Sequence, residues 1–282
     1  MKKITVIFGP TASGKSGLAL QIAKKIKGCI VNADAIQTYQ DLSVITARPQ
    51  PDETKIVPHY LYGYLDAWTQ GTVQDWLEKV VPVLNEKENP VLVGGTGLYL
   101  SSLINGINEI PAVDGDIRMR VRHMPLDEVK SMVKDCPFTD PQRLRRSLEV
   151  QLSTGKSIQY FQNQPKKKII QANFQTIFLN PPREKLYQNC DMRFYQMIEQ
   201  GGIEEVQQLM EKKPTGGVLK AIGVPEIILY LQGNISKETM CQMAILSTRH
   251  YAKRQITWFR HQIKADVTLN DKSDFDLNMI KQ

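Results

Sequence analysis

KITVIFGPTASGKS, residues 3–16, carries an apolar, strand-like run straight into a glycine-bounded loop. Its second half, Gly9–Ser16, fits the pattern G-x-x-x-x-G-K-[ST], and a helical pattern with Leu18, Ile22 and Ile26 on one face follows. Strand, loop, helix is the context this motif requires to cradle phosphate. The eight loop residues Gly9, Pro10, Thr11, Ala12, Ser13, Gly14, Lys15 and Ser16 bring backbone N–H groups to the positive end of a helix. Lys15 would neutralise phosphate oxygens and Ser16 would help hold Mg²⁺. The motif identifies a diphosphate or triphosphate site, the ATP-binding loop of P-loop proteins, without saying which reaction occurs there.

Outward from the loop, strand and helix patterns alternate. CIVNAD, residues 29–34, reads as a second strand ending at Asp34, after a helix that Gly28 closes in the manner of a C′ glycine. Residues 72–87 read as a helix that Pro82 is expected to kink or interrupt. VLVGG follows as a strand, then a helix from about Leu98 to Leu103. QTIFLN, residues 175–180, is a strand again, and ADVTLN a last short one. Alternation at this spacing predicts an α/β fold, a P-loop NTPase-like parallel sheet flanked by helices.

Between the strand patterns lies a helical, basic stretch without strand character. Three segments follow: the first part of the core over 1–112, a helical insertion over 113–170, and the second part of the core over 171–282 with a basic C-terminal helix. In the insertion, Asp140-Pro141 is a helix start, with Leu144, Leu148 and Leu152 on one stripe and Arg143, Arg145 and Arg146 largely off it.

Charge follows the same division. The chain of 282 residues carries a net +7. Residues 117–170 hold 12 Lys or Arg against 5 Asp or Glu, residues 249–264 hold 5 against none, and the rest sum to −5. Two confined basic surfaces point to a polyanionic partner or to solvated helix faces. In the second segment Ala252, Ile256, Phe259 and Ile263 form an apolar stripe. Arg249, Lys253, Thr257, Arg260 and Lys264 form another, spaced for about one phosphate contact per turn. Bulk composition, 41% hydrophobic and 23% charged, is that of a globular protein. No apolar run approaches the ~20 residues of a membrane span. The N-terminal apolar run is read as a strand and not a signal peptide. The four scattered cysteines are read as reduced thiols, and a cytoplasmic monomer is the expectation.

Chemistry concentrates at predicted strand ends, where open parallel sheets bind ligands. Asp34 is there, as a general base or as an ordinary turn aspartate. Gln37 offers an amide able to pair with an adenine edge at two points, or is simply solvated. Many P-loop ATPases carry a magnesium-binding acid at a comparable strand end; here stand Gly94, Gly95 and Thr96. The Thr96 hydroxyl either donates to a reacting oxygen or caps the next helix. Arg193 either reaches back to a phosphate or is a solvated charge. A small-molecule kinase with Asp34 as base, and a nucleic-acid-binding protein with a vestigial loop, both fit some of these features.

Taken in order, GPTASGKS, DAIQTY with ITARP, PHYL, LVGGTGLYL, DPQRLRRSLEV with TGKS, RFYQMIEQGGIEEV, LKAIGVPE and TRHYAKRQITWFR span about residues 4–260. This ordered set resembles the tRNA dimethylallyltransferase, or tRNA isopentenyltransferase, family. The resemblance implies a P-loop core with a helical insertion that grips a tRNA anticodon stem-loop. It implies transfer of a dimethylallyl group from dimethylallyl diphosphate to N6 of adenosine 37, in tRNAs reading codons that begin with U. Asp34 would accept the amine proton, and Thr96 would sit in the reaction channel. Lys15, Ser16 and Arg193 would stabilise the departing diphosphate, with Mg²⁺ at Ser16. No phosphoryl transfer is implied, so the missing acid is no puzzle. Contacts to tRNA would come from Asp34, Ala35, Ile36, Gln37 and Thr96, from Arg118, Gln142, Arg143, Leu144, Arg145 and Arg146, and from Arg249, Lys253 and Arg254. The chain departs from the family pattern in Ala35 where serine is usual, in ITARP for GTAKP, and in a short insertion before Asp140 ending in KDCPFT.

Overall fold

The structure, a computed structural model, describes residues 1–133 and 136–279. Its contacts divide the chain into two units, Asn105–Ile169 and the remainder on either side of it. The first unit is built on six parallel strands in the order β3-β2-β4-β1-β5-β6. These are β1 (Lys2–Phe8), β2 (Cys29–Asn32), β3 (His59–Tyr60), β4 (Pro90–Gly94), β5 (Ala172–Leu179) and β6 (Val267–Leu269). The central strands read as continuous apolar runs because both faces are covered. Ile4, Val6, Ile7, Phe8, Val91 and Leu92 are all fully buried. Register brings Phe8 opposite both Gly94 and Phe178, so the carboxyl ends of β1, β4 and β5 form one rim.

On the first unit's chain before the break run α1 (Lys15–Lys25), α2 (Pro51–Ile56), α3 (Val73–Glu86) and α4 (Gly97–Asn105). α3 passes through Pro82 without interruption, against the expected break. Pro82 lies on the exposed face, where the carbonyl it leaves without a helix partner can be hydrated. Meanwhile Thr72 and Asp75 cap the start reciprocally, and Trp76, Leu77, Val80 and Leu84 bury the other face. Trp76 stacks on Tyr99 with ring centroids 4.5 Å apart, and its Nε1 donates to the Asn32 carbonyl at 2.9 Å. The end of α1 also differs from expectation. Lys27, at φ 51°, takes the left-handed position, and Gly28 follows it, donating its N–H to the Ala23 carbonyl. Glycine is required at 28 by space: a Cβ there would lie 2.1 Å from the Asn89 carbonyl oxygen.

The second unit holds α5 (Gly115–His123), α6 (Leu126–Met132) and α7 (Pro141–Thr154) around Val121, Val129, Leu144 and Leu148, with α8 (Ile158–Gln162) packing Ile158 and Phe161 against Val150 of α7. Asp140 caps α7 by accepting the Arg143 N–H at 2.9 Å. The unit opens at Asn105 because Ile107 and Lys167 exchange backbone hydrogen bonds of 3.1 and 2.8 Å, a two-residue stem with no sequence period to announce it. Lys134 and Asp135 of the KDCPFT stretch lie outside the described residues.

After the second unit the chain returns through β5 to α9 (Arg183–Glu199), α10 (Gly202–Glu211), α11 (Val224–Leu231) and α12 (Lys237–Gln262). α12 docks by Phe259, which packs against Phe8 and Phe178 at 4.9 and 5.9 Å between centroids. α9 to α12 share a second core with Tyr39, Leu42 and Leu65. Among the described residues no helix is long and apolar enough to cross a membrane.

Candidate functional site

Two adjoining cavities open at the carboxyl rim of the sheet. One, of about 470 Å³, is lined by Gly14, Lys15 and Ser16 of the loop after β1, with Arg48, Gln50 and Arg193. The other, of about 390 Å³, is lined by Asp34, Ala35, Ile36, Gln37 and Thr96, with Tyr251 and Arg254 of α12. Arg193 and Met197 line both.

The loop cavity is cationic. The Lys15 ammonium donates to the Pro10 carbonyl at 3.2 Å, and burial brings its pKa down to about 8 although Asp34 pulls it up. Arg193 is no solvated charge. Its Nη2 donates to the Thr11 hydroxyl, and burial lowers the guanidinium from its ordinary value. One turn earlier on α9, Asn189 Nδ2 donates to the Ala12 carbonyl at 3.1 Å, so that helix holds the loop at two points. Ser13 Oγ is buried without a hydrogen-bond partner. A cradle of backbone amides with two buried cations is suited to an anion of high charge density.

The second cavity is built around Asp34. Asn32, fully buried, accepts the Asp34 N–H at 2.8 Å and donates to the Asp34 and Leu61 carbonyls. Asp34 Oδ1 accepts the Ile36 N–H at 3.0 Å, so the residue does close a turn. Its Oδ2 has no hydrogen bond among the described residues, which leaves one carboxylate oxygen for chemistry. Asp34 is also one cause, after burial, that raises the Tyr251 and Tyr62 hydroxyls well above the usual phenol range. Thr96 does not cap α4 with its side chain. Its hydroxyl accepts the Ala35 N–H at 2.8 Å and its own N–H donates to the Ala33 carbonyl at 3.2 Å, tying the turns after β2 and β4 together.

Gln37 stands in this cavity, but two-point pairing with a base is closed to it. Its amide nitrogen already donates to the Thr46 and Ala47 carbonyls at 2.8 and 3.1 Å, leaving the oxygen as a single acceptor. Those carbonyls belong to a segment fixed by Glu205 of α10, which accepts the N–H groups of Ser43, Val44 and Ile45 at 2.6, 2.9 and 2.9 Å.

The basic segments divide into free and spent charges. Arg118, Gln142 and Arg143 are exposed on the second unit, and Lys253 and Arg254 on α12. Leu144 is buried, so it is a core residue and no surface contact. Arg145 donates to the Val121 and Met124 carbonyls, stitching α7 to the end of α5. Arg146 pairs with Glu149 at 3.2 Å. Arg249, in a segment without acids, pairs with Asp191 of α9 through Nε and Nη2.

Several residues at the rim escaped the sequence reading. Lys220 and Tyr251 line the Asp34 cavity, and Asn189 and Gln255 bond the loop. Gln255 Oε1 accepts the Thr11 N–H and its Nε2 donates to the Gly95 carbonyl, both at 2.8 Å. It falls between the two stripes of α12, where periodicity carries no signal.

A family model described as IPP transferase matches residues 37–262. The chain is 40% identical over 287 residues to the tRNA dimethylallyltransferase of Rickettsia felis, over 95% of this chain and 93% of that one. It is 39% identical over 299 residues to that of Zymomonas mobilis, over 98% and 96%. Among solved structures, the tRNA isopentenylpyrophosphate transferase of Bacillus halodurans superposes with a TM-score of 0.72 at 30% identity, over 99% of this chain and 92% of that one. A eukaryotic dimethylallyltransferase acting on tRNA superposes with a TM-score of 0.82 at 28% identity, over 99% and 76%. With relatives this similar aligned almost end to end, and a parallel sheet that carries the Gly9–Ser16 loop on its rim, the chain belongs to the IPP transferase family.

Proposed function

We propose that the protein transfers a dimethylallyl group from dimethylallyl diphosphate to N6 of adenosine 37 of tRNAs that read codons beginning with U, giving N6-(dimethylallyl)adenosine. The observation that carries this reading is the meeting of the two cavities at Arg193. An anion cradle and a carboxylate with one free oxygen share one site. The names of the relatives, which are tRNA dimethylallyltransferases, support it.

In this reading the loop Gly9–Ser16 holds the donor's diphosphate and the Asp34 cavity takes the adenine, flipped from its stack. The N6 lone pair attacks C1 of the dimethylallyl group. The C1–O bond breaks, its electrons leave with the diphosphate, and the N6 proton passes to Asp34 Oδ2. Lys15 and Arg193 stabilise the negative charge that grows on the leaving oxygens. Thr96 keeps its hydroxyl hydrogen for the reacting groups, since its oxygen already accepts from Ala35. The Gln37 oxygen can accept from the adenine amine. Among the described residues no cluster of three His, Cys, Asp or Glu could hold a metal. Ser16 therefore fits Mg²⁺ only where diphosphate oxygens complete the ion's shell; bound there, Mg²⁺ would add charge neutralisation on the leaving group. Arg118, Gln142, Arg143, Lys253 and Arg254, exposed as they are, supply the contacts to the anticodon stem-loop.

The test is a single-turnover reaction of the protein with radiolabelled dimethylallyl diphosphate, Mg²⁺ and a tRNA bearing A36-A37-A38. Label is expected on the tRNA. ATP consumed with a small hydroxylated metabolite, and no label on tRNA, would replace this reading with a kinase.

The Lys15 environment gives a second check. Its pKa of about 8 means the free protein loses this positive charge as pH rises through that value. Binding of inorganic pyrophosphate needs the ammonium, so affinity relative to Lys15→Arg, a ratio from which the ligand's own titration cancels, should hold below pH 7.5 and then fall by up to about tenfold per unit above 8. Lys15→Arg should remove this component, because a guanidinium stays charged throughout. Calorimetric titration of both proteins across this window checks it; identical profiles would sink the assignment.

A further inference from the structure

We propose that Gln255 is a positioning residue of the transfer reaction, setting the distance between the loop that holds the donor's diphosphate and the turn that supports Asp34. This rests on the function proposed above. The β1–β4 ladder ends at Phe8 and Gly94. Pro10, with no N–H, cannot extend it. Just past that point Gln255 spans the gap with one amide, accepting from Thr11 and donating to Gly95.

Each end of this bridge leads to a reacting group. Thr11 carries the hydroxyl that receives Arg193. Gly95 precedes Thr96, whose hydroxyl holds Ala35 beside Asp34. The connection from the diphosphate arginine to the proton acceptor thus runs Arg193, Thr11, Gln255, Gly95–Thr96, Ala35. Gln255 is 6% exposed, so water cannot replace either bond. The side chain packs tightly as well: a Cβ on Gly95 would lie 2.4 Å from its Nε2. Its neighbours Tyr251 and Arg254 line the acceptor cavity, so the helix that faces the base also sets the donor loop.

Gln255→Met keeps the length of the side chain and removes both bonds, leaving a buried N–H and a buried carbonyl unpaired. Reacting groups displaced by about 1 Å lose about a hundredfold in rate. The expected result is therefore kcat about a hundredfold lower, pyrophosphate affinity about tenfold lower, and tRNA affinity within about twofold of the parent. Gln255→Glu separates positioning from simple packing. The neutral acid is an isostere of the amide, donating its O–H to Gly95 and accepting from Thr11. The carboxylate sets two acceptors against each other. Its rate relative to the parent should rise as pH falls from 8 to 6. The titratable and charged groups facing this corner, Asp34, Lys15, Arg193, Tyr251 and Arg254, are common to both proteins, so the ratio reports the carboxylate at 255 together with its coupling to them.

Gln255→Met with kcat and pyrophosphate affinity within about twofold of the parent would overturn the proposal, as would a Gln255→Glu ratio flat across pH. A rate loss that merely tracks thermal stability would do the same. Should Gln255→Met fail to fold, the Gln255→Glu profile carries the test. Should the parent itself transfer no label, the proposed function fails, and the pyrophosphate comparison still decides whether Gln255 sets the loop.

Discussion

Asparagine in place of Asp34 is expected to lower the single-turnover rate of dimethylallyl transfer by about a thousandfold or more, since positioned general bases contribute about 10²–10⁴. The substitution isolates the chemistry. The Asn oxygen can still accept the Ile36 N–H that Oδ1 now accepts, so the turn after β2 keeps its shape. Asn32 still holds the Asp34 backbone, and Thr96 still holds Ala35. What is lost is the second oxygen as a proton acceptor. Binding of tRNA should stay within about twofold, because the change removes an interaction made only as the proton moves. A variant that binds tRNA normally and transfers within tenfold of the parent would show that the proton leaves by another route.

Arg193→Gln is expected to cost about 10²–10³ in rate, the range for removing one preorganised donor to a developing anion. The guanidinium lines both cavities and is anchored on the Thr11 hydroxyl, so it is held in place before a diphosphate arrives. Because it acts on the leaving group, pyrophosphate affinity should fall along with the rate while tRNA affinity holds. Arg193→Lys should recover only a small part, since a point charge lacks the planar fork that reaches Thr11 and a phosphate oxygen together. Equal losses in tRNA and pyrophosphate affinity would instead mean that α9 had shifted.

Local candidates were legible in the sequence; contacts assembled across the chain were not. The Gly9–Ser16 loop motif lies in eight consecutive residues, and Asp34 and Thr96 follow strands whose apolar runs are plain. The two residues of β3 are too few to show a period. Gln255 was invisible because its partners lie 244 and 160 positions away. Local charge counting missed the Asp191 partner of Arg249, which comes from another helix. In RLRRSLEV a pattern that resembled an RNA contact is half architecture: Leu144 fills a core and Arg145 binds backbone carbonyls, leaving Arg143 exposed. Arginine serves a carbonyl as readily as a phosphate, and sequence does not distinguish them.

The strand order has a bearing on how the protein is made. β1 lies between β4 and β5, and β5 comes only after the whole second unit has been synthesised. The nascent chain therefore carries the Gly9–Ser16 loop long before it owns Arg193 or Gln255, and an open β1 edge until β5 arrives. Chains cut short before α12 lack the amide that joins loop to turn. In fragments that end before β5, the exposed edge of β1 would mark them for chaperones or proteases.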